Sequence, residues 1–328
     1  MHHYAALLPF LPVALGCLNP QSNACASYIS ANPAVVSPFC ATFTAGPTPI
    51  TETSALPAWA THCSNKPKEV SKECSCYYTS GAAPAPTTLV TRTSNIAAAP
   101  SGVTTTLPQS SGAVATNKAI VVPQGETFDG GMNNYDRNPR VCAEQDETGE
   151  DDAMFILEEG ATLQNVIIGP NQAEGVHCKG QCTLINVWWE DVCEDALTVK
   201  QNSGITRVIG GGAFHASDKV VQFNGFGTVE VRDFYAADYG KVVRSCGNCS
   251  NNGGARHVVL DSVVAVDGGV LCGINTNYGD TCTIRNACQD DGKTCDRFQG
   301  NNNGEEPEKI GSGPDGQFCQ VQGFTENC

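Results

Sequence analysis

TLQNVIIGPNQAEGVHCKGQCTLINVWWEDVCEDALTVK, residues 162–200, carries the same short phrase twice. Leu163-Gln164-Asn165-Val166 returns as Leu184-Ile185-Asn186-Val187: an apolar residue, any residue, then Asn, Asp or Arg, then usually an apolar residue. Further along the chain it recurs at Ile205-Thr206-Arg207-Val208, Val231-Arg232-Asp233-Phe234, Val259-Leu260-Asp261-Ser262 and Ile284-Arg285-Asn286-Ala287. The first positions step by 21, 21, 26, 28 and 25 residues. A second strand series is interleaved with the first. Taking Ile156, His177, Thr198, Gln222, Arg244 and Cys272 as equivalent, its steps are 21, 21, 24, 22 and 28. Two short-strand series sharing one drifting period read as a solenoid in which each lap is one repeat. No segment sustains a helical period, and the leucine framework of leucine-rich repeats is absent. The expected fold is all-β, a right-handed parallel β-helix from about Ala119 to Cys328.

Upstream, the composition changes twice. Residues 79–118 are rich in Ala, Pro, Ser, Thr and Val with almost no charge, which predicts a disordered linker. Residues 17–78 hold Cys17, Cys25, Cys40, Cys63, Cys74 and Cys76, the density of a small disulfide-stapled module of unassigned role. Residues 1–16 end in the apolar run AALLPFLPVALG, read as a signal peptide cleaved before Cys17; a lipoprotein reading of Leu15-Gly16-Cys17 is the weaker alternative. Eighteen cysteines against a charged fraction of 16% agree with a secreted, extracellular protein. No other apolar run approaches the ~18 residues of a membrane span, so no membrane partner is expected. A net charge of −15 argues against nucleic acid. The chain is expected to act as a monomer.

The run Glu190-Asp191-Val192-Cys193-Glu194-Asp195 places four carboxylates between Trp188-Trp189 and an alternating Ala-Leu-Thr-Val strand. Acids crowded at a strand edge repel unless a cation sits among them, and oxygen-only ligands suit a hard ion such as calcium. In a coil, residues one lap apart stack at ~4.8 Å. Counting back 21 residues from Asp195 gives Glu174; counting on 24 gives Lys219, and 22 more gives Lys241. The neighbouring column reads His177, Thr198, Gln222, Arg244. One outer face therefore carries Glu174, Glu194 and Asp195 at one end and Lys219, Lys241 and Arg244 at the other, with Lys200 at the edge. Two readings stand at this point. The stripe is a set of mutually satisfied ion pairs, each worth little, or a cation and free basic groups that together grip an acidic sugar polymer.

Several segments carry a resemblance: Asp152 to Leu163, Glu174-Gly175-Val176-His177-Cys178, Trp189 through Thr198, Asp218-Lys219-Val220-Val221-Gln222-Phe223-Asn224 and Gly240-Lys241-Val242-Val243-Arg244. From about Val121 to Asp315 the chain closely resembles polysaccharide lyase family 3, the small pectate lyases. The resemblance implies a parallel β-helix, dependence on Ca2+, and cleavage of polygalacturonate (pectate) by β-elimination. It implies Glu174, Glu194 and Asp195 as calcium ligands, Lys219 as base and Arg244 as its partner. Bacterial relatives commonly carry Asp where this chain has Glu174. Lys200 and Lys241 are candidates for binding substrate carboxylates, against a purely structural pairing.

The chemistry needs these residue types. Elimination removes the proton on C5 beside the uronate carboxylate, which is acidic enough only when that carboxylate is neutralised. A lysine base must itself lose a proton, and nearby cations favour that loss. Arginine serves as base in other pectate lyase families and is the alternative here. His177 reads as a packed histidine, one of Trp188 and Trp189 as core and the other as a stacking surface for sugar. The formal sequon Asn248-Cys249-Ser250 has Cys at its centre. The remaining twelve cysteines are expected in disulfides within turns and around Cys282 to Cys295, with no zinc site. Two rival functions are a polygalacturonase-like hydrolase on the same fold, with Glu194 and Asp195 as its acids, and a non-catalytic calcium-dependent glycan binder.

Overall fold

The computed structural model describes residues 102–143 and 148–328, the helices Ala24–Ala31 and Ala58–Cys63, and four buried positions beside them, Val36, Cys40, Val70 and Cys74. The chain divides into two compact units, Met1–Arg92 and Thr93–Cys328. The expected signal peptide, Cys17, Cys76 and most of the expected linker lie outside the described residues. In the first unit, disulfides Cys25–Cys63 and Cys40–Cys74 tie the two helices and their surroundings around Ile29, Val36, Trp59 and Val70.

The second unit is a parallel β-helix with three faces. On the first, Leu163, Leu184, Val208, Val231, Leu260 and Ile284 pair in succession and point inward. On the third, Phe155, Val176, Leu197, Val221, Val243, Cys272 and Cys295 do the same. Stacking like on like buries one continuous apolar column per face, which no single lap could bury alone.

The repeated phrase has a backbone cause. Its third residue takes the left-handed conformation that turns the chain from the first face to the second: φ is 54° at Asn165 and Asn186, 68° at Gly210, 54° at Asp233, 55° at Ser262 and 46° at Asn286. Asn, Asp and Gly tolerate that conformation best. The asparagines also bond along the coil, Asn186 Nδ2 donating to Asn165 Oδ1 at 3.0 Å and the buried Trp188 Nε1 donating to Asn186 Oδ1 at 2.8 Å.

This corrects the register at three places. Val208, not Ile205, continues the first column, and Leu260, not Val259, follows Val231. A pattern demanding Asn, Asp or Arg at the corner cannot see corners made by Gly210 and Ser262. Arg244 pairs with Gly273, one residue past Cys272. The strand Ala113–Thr116 pairs with Asn134–Arg137, so the coil begins inside residues read as linker; its Ala-Val-Ala-Thr sequence is mostly exposed and shows no buried face. Both Trp188 and Trp189 are buried, the first against Phe214 and the second against Phe234, so neither offers a sugar platform.

All twelve cysteines of this unit are paired: Cys142–Cys193, Cys178–Cys182, Cys246–Cys249, Cys272–Cys282, Cys288–Cys328 and Cys295–Cys319. The cluster Cys272, Cys282 and Cys295 is two stacked disulfides, not a metal site. The antiparallel strand Glu308–Ser312 pairs with Cys295–Gln299 and ends the third face. Among the described residues no helix is long and apolar enough to cross a membrane.

Replacing Asn186 tests the corner. Asn186→Ala adds left-handed strain and leaves the Trp188 N–H without an acceptor, an expected cost of about 2–3 kcal/mol in denaturant unfolding. Asn186→Gly keeps the backbone conformation and should cost about 1 kcal/mol less. Equal losses would show that the backbone conformation at this corner carries no energy.

Candidate active site

The third face places the predicted residues through register alone. Asp195 pairs directly with Lys219, and Lys219 with Lys241. Glu174 precedes Asp195 by the same 21 residues that separate the paired Val176 and Leu197, so it occupies the adjacent rung. Gly175 allows that approach: its φ is 36°, and a Cβ there would fall 2.1 Å from the Ala196 carbonyl oxygen. Glu194 and Asp195 follow the disulfide-bonded Cys193 at the turn into the strand Asp195–Val199.

Most of the stripe expected on a solvent face is buried, while Lys241 and Lys200 stay half-exposed. Glu174 and Glu194 are each 3% exposed, Asp195 2% and Lys219 6%. The Lys219 Nζ lies 3.4 Å from Asp195 Oδ1 and 3.5 Å from Glu194 Oε1. It also donates to Asp218 Oδ2, whose other oxygen accepts from Lys241 Nζ at 3.0 Å. Glu174 is clamped at both oxygens. Thr148 donates from its backbone N and Oγ1 to Oε1, 3.2 Å each, and His177 Nε2 lies 3.0 Å from Oε2.

These contacts set the charges. Burial drives the Asp195 carboxyl well above its usual range, opposed by Lys219 and aided by Glu194 and Asp218. Burial also works to lower the Lys219 pKa, but Asp195, Asp218 and Glu194 together outweigh it and hold the amine above its usual range. Burial would likewise raise Glu174 and Asp218; His177 and Thr148 on the first, Lys219 and Lys241 on the second, keep both below the usual carboxylate range. The amine is therefore the counter-charge of the carboxylate cluster.

Arg244 stands apart from that cluster. It follows Gln222 in its column, and its Nη1 donates to the Ser245 carbonyl at 2.7 Å and to Asn275 Oδ1 at 3.1 Å. The guanidinium lies 4.0 Å over the Phe298 ring. Gly273 makes room for it, since a Cβ there would meet Arg244 Cδ at 2.5 Å. Burial pushes Arg244 down to about 10, against Asp280, Glu306 and Asp218. Lys200 sits at the opposite edge of the same face, 3.4 Å from Glu150 Oε2, a carboxylate held more closely by Lys179 at 2.6 Å.

Three residues escaped the sequence reading. Asp218 was taken only as part of a phrase. The pairing of the two strands shifts between Tyr239 and Lys241, so a β-bulge aims Asp218 and Lys219 at the same cluster instead of opposite sides. Thr148 comes from a segment outside the repeat, and no period points to it. His177, read as simply packed, is packed against a candidate ligand.

The donor set suits a hard cation. Glu174, Glu194 and Asp195 supply carboxylate oxygen only, and Asp195 Oδ1 is buried with no hydrogen-bond partner. Glu174 Oε1 takes two donors from Thr148, whereas Oε2 meets His177 with one lone pair and keeps the other for a metal.

A profile of the family described as pectate lyase matches residues 104–305. Pectate lyase H of Emericella nidulans is 54% identical over 223 residues, covering 67% of this chain and 85% of the relative. Probable pectate lyase F of Aspergillus terreus is 50% identical over 207 residues, 62% of this chain and 88% of that one. The chain belongs to the pectate lyase family. Solved structures agree: the catalytic domain of the pectate lyase PelI of Erwinia chrysanthemi aligns at a TM-score of 0.53 and 30% identity over 66% of this chain and 97% of that one. PelI in complex with tetragalacturonic acid aligns at 0.53 and 31%, over 63% and 69%. This pectate lyase thus has a candidate active-site face legible in register, with a carboxylate cluster whose oxygen donors suit a divalent cation.

If the cluster binds such an ion, adding calcium to chelator-treated protein should raise its melting temperature, by the equivalent of about 2.7 kcal/mol at a hundredfold excess over Kd. Asp195→Asn should lose most of that shift. An equal shift in both proteins would place the ion elsewhere.

Proposed function

We propose that this pectate lyase cleaves α-1,4-linked polygalacturonate by calcium-dependent β-elimination, giving oligogalacturonides with a 4,5-unsaturated end. The observation that carries the reading is the Lys219 amine, buried within 3.5 Å of Glu194 and Asp195 at the foot of a face that also presents Arg244. Glu174, Glu194 and Asp195 would hold calcium, with Thr148 and His177 orienting Glu174. Bound there, the ion would supply positive charge that engages the protein carboxylates and withdraws electron density from a uronate carboxylate.

The chain's own groups do the rest. Lys219, once its surrounding carboxylates are engaged, loses the charges that hold its proton and takes the C5 proton as a neutral amine. Arg244, fixed by Ser245, Asn275 and Phe298, presents its remaining guanidinium N–H groups to the uronate carboxylate, where negative charge builds up as that proton leaves. Asp218 spaces Lys219 from Lys241, which with Lys200 meets substrate carboxylates along the face. A hydrolase reading fares worse: Glu194 and Asp195 both close on the Lys219 ammonium, at 3.5 and 3.4 Å, whereas the two acids of a glycosidase face each other across the bond they cleave. The eight disulfides among the described residues support the reading of a secreted, extracellular enzyme. The N-terminal Cys-rich module, residues 17–78, and the linker after it are read as separate from a catalytic domain acting as a monomer.

Lys219→Ala should lower kcat on pectate about a thousandfold, read by ultraviolet absorbance of the unsaturated product, while oligogalacturonide binding persists. Retained turnover would remove Lys219 as base. The pH profile follows from both cations. Activity should rise only in the alkaline range, as Lys219 gives up its proton, and fall as pH passes about 10, where Arg244 loses its charge. A profile flat through pH 10 would show that the Arg244 guanidinium keeps its charge there, against the lowering by burial.

A further inference from the structure

Two guanidiniums are buried in the later laps of the coil, and one carboxylate stands behind both. Arg244 is 8% exposed, and Arg256 and Asp280 are fully buried. Burial works against the charge of each arginine, and Asp280 is the strongest of the charges that oppose it at both. The elimination chemistry as described has no use for Asp280. A carboxylate withdrawn this far from water is costly unless all its bonds are made and a charge faces it.

Asp280 reaches Arg244 through a single side chain. Asn275 ends the strand Val270–Asn275, and the short turn Thr276–Tyr278, closed by the left-handed Gly279, brings Asp280 back beside it. Asp280 Oδ2 accepts from the Asn275 backbone N at 2.9 Å and from Asn275 Nδ2 at 3.3 Å, while Oδ1 accepts from the Arg256 backbone N at 2.8 Å. Asn275 Nδ2 also donates to the Cys246 carbonyl at 3.0 Å, so both of its hydrogens are used. The amide then has one workable orientation, with Oδ1 turned to Arg244 Nη1 at 3.1 Å. Flipped, it would set N–H groups against the guanidinium and its oxygen against Asp280.

This lock decides what Arg244 can offer. The Ser245 carbonyl and Asn275 Oδ1 take the hydrogens of Nη1, and the Phe298 ring lies under the guanidinium. Gly247 leaves room for Nη2, since a Cβ there would come within 2.6 Å of it. Among the described residues, Nε and Nη2 make no hydrogen bond. A guanidinium whose charge and direction are set before substrate arrives needs no rearrangement as negative charge builds beside it.

We propose that Asp280 is a positioning residue for the elimination: the buried counter-charge of Arg244 and Arg256, it locks the Asn275 amide, which in turn aims Arg244 Nε and Nη2 at the uronate carboxylate. The inference rests on the elimination reading above. Asp280→Asn removes the charge and sets an amide N–H against one of the donors that Asp280 now satisfies. In the calcium-loaded full chain it should lower kcat on polygalacturonate about thirtyfold and move KM less than about threefold, because the bond it aims matters most as charge develops. In Arg244→Ala enzyme, where nothing is left to aim, the same change should lower kcat/KM less than about twofold. Thermal melts by circular dichroism identify the folded variants. If Asp280→Asn does not fold, Asn275→Ala, which leaves the Asp280 bond to the Arg256 backbone, goes through the same cycle with the same expectation. Equal fold losses with and without Arg244 would mean that Asp280 serves only the turn and Arg256, and would overturn the proposal. Wild-type enzyme that releases no unsaturated product would instead end the elimination reading.

Discussion

One ammonium group inside a nest of buried carboxylates governs this molecule. Lys219 stands against Asp195 and Glu194 where water is largely excluded, and against the half-exposed Asp218, and each of the buried charges would be expensive alone. Together they form a cluster that can be filled in two ways. In one, the lysine proton is the counter-charge. In the other, on the mechanism proposed above, a divalent cation would take that part and leave the amine free to act as a base. The first filling is what the charges of the chain produce by themselves, and it explains why Lys219 titrates above its usual range while Asp195 is driven up by burial.

The coil makes such a nest affordable to fold. Residues 21 and 24 positions apart are brought face to face by the same strand pairing that buries Val176, Leu197 and Val221 beneath them. The apolar column anchors the backbone, so the acids cannot splay apart to relieve their repulsion. The disulfide Cys142–Cys193 ends directly beside Glu194. Beyond the nest, Arg244 is held by different partners, Asn275 and Phe298, while the charge of Asp218 acts on both cationic groups of the site.

Much of this was legible in the sequence because register in a solenoid is arithmetic. Adding laps to Asp195 led to Glu174, Lys219 and Lys241, and the strand pairs agree. The corners were legible where they are Asn or Asp and illegible where Gly210 or Ser262 takes the same backbone conformation, which is why the Ile205 and Val259 phrases were framed wrongly. Asp218 was hidden by a bulge, since strict alternation turns it away from Lys219. Thr148 lies on a segment with no period. The tandem Trp188-Trp189 looked like one inside and one outside residue. The left-handed turn at Asn186 and the cover given by Phe214 bury both.

The most direct test of the account is a crystal structure of the calcium-soaked enzyme with the anomalous signal of the ion measured. The account predicts a single strong peak about 2.3–2.6 Å from oxygens of Glu174, Glu194 and Asp195, with the Lys219 amine withdrawn from Asp195. A peak at some other site, with Lys219 still seated between Glu194 and Asp195, would contradict it.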